Sequence, residues 1–169
     1  MPELTTRPEG LRKLWPMIRD IRVAMLSTWD GEHLRSRPMH AHLDEASDQL
    51  FFFTRLDSGK TREARRYQEV NVAFADNAAQ TWVSISGRAA IELDDEVIRR
   101  FWTPMAAAWF PEGLDDPELA VLRIEPEIAE YWDMKAGAMR YFWEISKASL
   151  TGEPPVLGDT GRIELASPR

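Results

Sequence analysis

The sequence predicts a mainly β protein: a closed or nearly closed antiparallel barrel with short helices at its corners. Three observations carry that expectation. Six or seven stretches with strand patterning follow one another, separated by turn signals and only short helical patterns. Asp30-Gly31 stands between two of them as a hairpin turn. Pro38 and Gly87 fall inside strand patterns, where a proline marks an edge and a glycine a bulge.

Leu11, Leu14, Trp15, Ile18 and Ile21 recur at helical spacing, so an amphipathic helix is expected over 11–21, with Pro16 near its first turns. Val23–Trp29 is the first strand, and Leu34–Leu43 pairs back on it through strict alternation. After a polar loop, Gln49–Thr54 (QLFFFT) is a continuous apolar run, as a strand buried on both faces requires. A short basic helix spans Lys60–Tyr67, and Asn71–Asp76 and Thr81–Glu92 are strands, the second bent at Gly87. Asp94 caps a helix that reaches Trp102 and stops before Pro104. An apolar connector, Met105–Gly113, leads to two last strands, Ala120–Ile124 and Ile128–Trp132, interrupted by Pro126. Ala138–Leu150 fits a helix or a strand. One domain is expected over residues 1–150. The Pro- and Gly-rich tail, 151–169, is expected to be poorly ordered.

Composition narrows the function classes. A chain of 169 residues suits one domain, with roughly 70% of its unfolded surface buried. A net charge of −7 disfavours a nucleic-acid binder. The chain contains no cysteine, which removes disulfides, thiol nucleophiles and thiolate metal sites. No apolar run approaches a membrane span and no signal-peptide core opens the chain, so a cytoplasmic protein is expected. Seven tryptophans are many for this length, and large aromatics line either a core or a site for a flat ligand.

Against the acidic background, Lys60, Arg62, Arg65 and Arg66 form a local basic cluster. Ser58-Gly59-Lys60-Thr61 opens their helix, and a helix start offers free N–H groups and a positive dipole end beside Lys60. That is a seat for a phosphate, competing with the plainer reading of a helix cap. It is not a Walker loop, because Thr54 stands where the first glycine belongs. His40 and His42 share a strand face, but only three histidines occur and no carboxylate has ligand spacing, so no metal is expected. A surface or dimer-contact role is expected for the pair instead. Asp94, Asp95 and Glu96 at a helix start suit the dipole. Trp102, Trp109 and Phe110 read as core, with Trp109 kept as a possible site wall.

The order Arg-Pro-Met, FFFT, SGK, helix, NVAFAD and WVSISGRA resembles the flavin-binding split-barrel family of pyridoxamine 5′-phosphate oxidases, and within it the general stress protein 26 branch. The likeness covers roughly residues 11–150. It implies a six-stranded split barrel with flanking helices, binding FMN (FAD being possible) at the interface of a homodimer. Carried over by position, Arg37, Pro38 and Met39 lie along the flavin, Phe53 and Thr54 contact it, and Ser58 and Lys60 hold its phosphate. Trp82 falls where the family often has glutamine contributed by the second subunit. Trp132 resembles a late tryptophan beside the cofactor.

The departures are equally specific. The oxidases hold their substrate with an Arg-x-His pair, but here the segment Asp133–Met139 has neither. Their lysine after the flavin-lining strand is replaced by Ala41 or His42. Met134, Ala136, Ala138 and Met139 give an apolar rim, with Arg140 the nearby cation. The expected function is thus flavin binding, as an oxidoreductase for an unidentified small substrate or as a non-catalytic stress protein that carries, buffers or senses. Catalytic residues are not assignable from the sequence. A haem-binding barrel is a third and weaker reading.

Overall fold

Residues 7–134, 138–152 and 158–165 are described by the computed structural model. The chain begins with α1 (Arg7–Ile18) and the hairpin β1 (Val23–Trp29) and β2 (Leu34–His40). Gly31 has φ +109° at the turn, and Asp30 Oδ1 accepts the amides of Glu32 and His33 at 2.9 and 2.8 Å. A left-handed glycine and an aspartate gathering the next two N–H groups are what this reversal needs. Then come β3 (His42–Asp44), β4 (Gln49–Arg55), α2 (Gly59–Arg66), β5 (Glu69–Asp76) and β6 (Thr81–Glu92). They are followed by α3 (Asp95–Phe101), α4 (Pro104–Ala107), a 3-10 turn, β7 (Leu119–Asp133), α5 (Ala138–Thr151) and β8 (Asp159–Glu164).

The strands form one antiparallel sheet in the order β2-β1-β5-β6-β7-β4-β3, with β8 also on β7. The two ends of that path, β2 and β3, are consecutive in the chain and separated only by Ala41. A sheet whose opposite ends are one residue apart has to curl, and the result is an open half-barrel. The expected single strand 34–43 is therefore broken. At Ala41, whose N–H donates to the Arg22 carbonyl at 2.9 Å, the chain leaves β1 and turns towards β4.

The two expected strands at 120–124 and 128–132 are one. β7 runs through Pro126 because that residue sits at a bulge, where the register with β6 shifts between Ser86 and Gly87. A bulge relieves the proline of its missing donor. Gly87 is required there, since a Cβ would run into the Glu125 carbonyl.

Sidedness follows the sequence pattern. Leu50 and Phe52 of β4 enter the barrel core with Ala24, Leu26, Val72, Phe74, Ile85 and Leu122. Phe51 and Phe53 point the other way, into a second cluster with Ile98, Phe110 and Val121. QLFFFT is thus buried on both faces, as its composition required. α1 plugs one side of the barrel core with Leu11, Leu14, Trp15 and Ile18. It begins four residues earlier than expected and ends at Ile18, which places Pro16 in its last turn.

The expectation of a poorly ordered tail is corrected for 159–164. That segment is β8, paired with Ile128–Asp133, and both Ile163 and Leu165 are fully buried. Residues 138–151, left open between helix and strand, are the helix α5. No helix among the described residues is long and apolar enough to cross a membrane.

Candidate functional site

A cavity of about 660 Å³ opens on the outer face of the barrel, between β2, β4 and the α4 segment. Arg37, Pro38, Met39, Phe53, Thr54 and Lys60, six of the nine expected cofactor-binding residues, line it together. β2 is an edge strand with β1 as its strand neighbour, so successive residues 37–40 all border the opening. Trp109 and Phe110 form further wall. Trp109 is 76% exposed and Phe110 is buried, so the earlier reservation about Trp109 corresponds to its place.

The polar end of the cavity is built on the junction of β4 and α2. Thr54 and Thr61 are buried, and their hydroxyls meet at 3.0 Å. Ser58 Oγ lies 2.9 Å from Thr61 Oγ1 and accepts the Thr61 amide at 3.4 Å as the α2 cap. Thr61 Oγ1 also donates to the Arg55 carbonyl at 2.7 Å. Three hydroxyls in one seam fix where α2 starts, and hence where Lys60 stands. Ser58 spends its oxygen on this cap and does not line the cavity.

Arg37 is held in place by groups the sequence reading missed. Its guanidinium donates to Thr28 Oγ1 at 2.5 Å and to Glu63 Oε2 at 3.0 Å, and the Thr28 hydroxyl in turn donates to Glu63. The one available signal was Glu63 standing three residues after Lys60 on the same short helix. Lys60 differs: among the described residues no side chain bonds its ammonium. Burial first, and the neighbouring Arg37 second, hold it below the ordinary lysine range. The carboxylates of Glu63 and Asp57 act on it from nearby but do not offset burial and Arg37.

The other end is aromatic. His42 pairs with Phe51 in the β3–β4 ladder, three residues upstream of Thr54, roughly 10 Å along the strand. Its ring stands edge-on to Phe53 at 5.4 Å and lies 5.0 Å from His40. Burial, with His40 second, pushes the His42 imidazole down to about 4, so it is neutral at pH 7. Both histidines line the cavity. The break at Ala41 carries them inward, and alternation alone could not foresee it. No cluster of three or more potential metal ligands occurs among the described residues.

Trp82 and Trp132 are elsewhere. They face each other across β6 and β7, with the Trp82 indole donating to Asn77 Oδ1 at 3.2 Å and Trp132 40% exposed. β7 passes Phe53 at Val121, eleven residues before Trp132, roughly 35 Å of strand path away. Of the expected apolar rim, Met134 is described, Ala136 lies outside the described residues, and so do the side chains of Ala138, Met139 and Arg140.

The family model described as pyridoxamine 5′-phosphate oxidase like matches residues 9–155. The chain belongs to the pyridoxamine 5′-phosphate oxidase-like family. Protein bli-3 of Neurospora crassa is 27% identical over 153 residues, covering 84% of this chain and 73% of that protein. A solved structure from Jannaschia sp. described as general stress protein 26 superposes with a TM-score of 0.74 at 25% identity, covering 93% of this chain and 99% of its own. The general stress FMN/FAD binding protein of Xanthomonas citri gives 0.68 at 29% identity, covering 77% and 92%. The general stress protein 26 branch expected from the motif order is the one the Jannaschia structure is described by. The cavity lies on residues 23–110, inside the matched span.

Proposed function

We propose that this family member binds FMN in the β2–β4–α4 cavity, with the phosphate on Lys60 and the start of α2 and with Arg37 as the second cation. The single observation that carries the reading is Lys60: a half-buried ammonium that no described side chain hydrogen-bonds, at the polar end of the cavity. A flavin mononucleotide has the matching polarity, a flat ring at one end and a dianion at the other. When bound, the flavin would supply two-electron chemistry, and the chain would supply orientation and electrostatics. Arg37 is hydrogen-bonded by Glu63, whereas Lys60 has only the through-space attraction of Glu63 and Asp57, which burial and Arg37 outweigh. FAD is the alternative form of the same ligand.

A homodimer with a cavity at each interface belongs to this reading. Val23 and Met25 of β1 and Leu34 of β2 leave apolar side chains exposed beside the cavity. Trp82 and Trp132, roughly 35 Å of strand path from Phe53, are the residues this reading assigns to the partner's cavity. Sedimentation of the flavin-loaded protein at micromolar concentration should give the dimer mass; a flavin-bound monomer would remove this part.

Two roles remain, a flavin-dependent oxidoreductase for a small substrate and a non-catalytic flavin carrier or sensor. Among the described residues no carboxylate lines the cavity and His42 is a weak base, so in either role the protein offers few proton donors. Pyridoxamine 5′-phosphate oxidation fits poorly, because neutral His42 would stand near the substrate phosphate in place of a lysine. Quenching of flavin fluorescence by the apoprotein tests binding: FMN should bind at least about tenfold tighter than riboflavin, the worth of one good charge-assisted bond. Equal affinities, or no quenching, would defeat the assignment. Steady oxidation of a reduced nicotinamide by the loaded protein would then decide for the enzyme.

A further inference from the structure

We infer that the histidine-bearing end of the cavity is the substrate end, and that it takes an uncharged planar carbonyl compound, hydrogen-bonded by His42 and covered by Trp109. This rests on the flavin reading above, which places the phosphate at the opposite, Lys60 end.

The charges of the cavity are all at the other end or already engaged. Arg37 is bound to Glu63, and Arg55 is paired with Asp57 at 3.2 Å and Asp116 at 3.9 Å. An anionic substrate would therefore find no free cation at the His42 end. A cationic one would find no carboxylate in the lining. Charge selects a neutral molecule by exclusion.

Shape and polarity select its kind. Phe53, Met105, Trp109 and Phe110 give flat or pliable apolar walls, and Trp109 is too exposed to be core. Thr103 there caps α4 with its hydroxyl, while His40 and His42 have no hydrogen-bond partner among the described residues. Neither ring has a sealed, unsatisfied nitrogen, so they open onto the cavity. A neutral imidazole offers one N–H and one bare nitrogen. A carbonyl taken from water into an apolar site needs such a donor, and costs affinity without it. Stacking fixes the ring of the ligand while His42 fixes its oxygen.

The test uses FMN-loaded protein and three bicyclic probes of similar area: 1,4-naphthoquinone, naphthalene and 1-naphthoate, titrated by isothermal calorimetry. Naphthoquinone should bind at least about tenfold tighter than either of the others, one buried hydrogen bond's worth. His42→Phe should remove that advantage, while naphthalene affinity stays within about twofold. His42→Gln, which keeps a donor, should restore most of it, which separates hydrogen bonding from a folding defect. Trp109→Ala should weaken naphthoquinone and naphthalene together. Preference for naphthoate, or an undiminished naphthoquinone advantage in His42→Phe, would overturn the assignment. Failure of the wild-type protein to take up FMN would instead show in the flavin arm alone and count against the flavin reading.

Discussion

Lys13 and Lys60 are the same residue type in two regions of the molecule, and their surroundings push them in opposite directions. Lys13, on α1, donates to Tyr131 Oη at 2.5 Å, pairs with Asp159 and lies over the Tyr131 ring. Its pKa is raised, chiefly by the bond to Asp159. Lys60, on α2, has burial and Arg37 against it and no bonded partner among the described residues, and its pKa is lowered. The first lysine completes a structural contact that ties α1 to β7 and β8. The second has no such bond, and the proposed function gives it one in the flavin phosphate. A cation in a protein is thus read by what answers it.

The largest effect expected on this contrast is structural and lies on the Lys13 side. Ile163 of β8 is fully buried and packs so closely on α1 that a Cβ on Gly10 would overlap it. Ile163→Ala should cost roughly 3 kcal/mol of unfolding free energy by urea denaturation. It should leave the FMN affinity of the folded protein unchanged, because β8 and the cavity are on separate parts of the sheet. A loss under about 0.5 kcal/mol would mean that β8 contributes little to the fold.

Lys60→Ala comes next, and its effect is on binding. FMN should weaken about 10- to 100-fold, corresponding to one charge-assisted bond of ~1.5–3 kcal/mol, and riboflavin by less than about threefold. The pH dependence has a definite sign. The ammonium binds the phosphate, so FMN affinity should fall as pH rises through the lowered pKa of Lys60, beginning below 10.5. Riboflavin serves as the control for titration of the ring. The apoprotein stability should move the other way: the unfolded chain binds the Lys60 proton more tightly, so the wild type gains stability relative to Lys60→Met as pH rises through that window. Equal weakening of FMN and riboflavin would make Lys60 a structural residue like Lys13.

His42 sharpens the picture of the aromatic end. Its folded pKa of about 4 lies below the ordinary 6.5, so the fold favours the neutral ring. That stability is fully present above 6.5 and is lost as pH falls towards 4. With allowance for its contact with solvent, the loss is on the order of 1–2 kcal/mol. Urea midpoints at pH 7 and pH 4.5 should diverge more in the wild type than in His42→Gln; identical divergence would place the ring in water.

The smallest effect is Lys13→Met. Both partners are partly exposed, so the pair is worth about 0.2–1 kcal/mol. The raised pKa means that this stability is present below 10.5 and disappears as pH climbs through the folded value. FMN binding should not change, and a weakening above about threefold would break the contrast between the two lysines.

Much of the fold was legible because its signals are local. Asp30-Gly31 encodes its own turn, Asp94 its own cap, and the run from Gln49 to Thr54 its burial on both sides. Gly87 announced the bulge, yet the bulge's consequence, that β7 continues through Pro126, depends on where β6 places Gly87 beside Glu125. The role of 159–164 was illegible because pairing with β7 and packing on α1 are contacts across distant sequence, and its Gly-rich composition resembles a tail.

The chain by itself determined the residue types of the candidate site and their order: Arg37 to Met39 on an edge strand, Phe53-Thr54 closing a buried one, and Ser58 to Lys60 opening a basic helix. Periodicity and capping are properties of a few neighbouring residues, so they can be read without the fold. Tertiary structure alone decided which charges stay unanswered. Glu63 and Thr28 claim Arg37, Asp159 claims Lys13, and no described side chain hydrogen-bonds Lys60. It also decided that His40 and His42 turn into the cavity at Ala41, and that Trp82 and Trp132 stand far from Phe53. Electrostatic pairing and burial act across space, between groups that one strand break or one bulge can bring together or keep apart, and that is information the linear order does not hold.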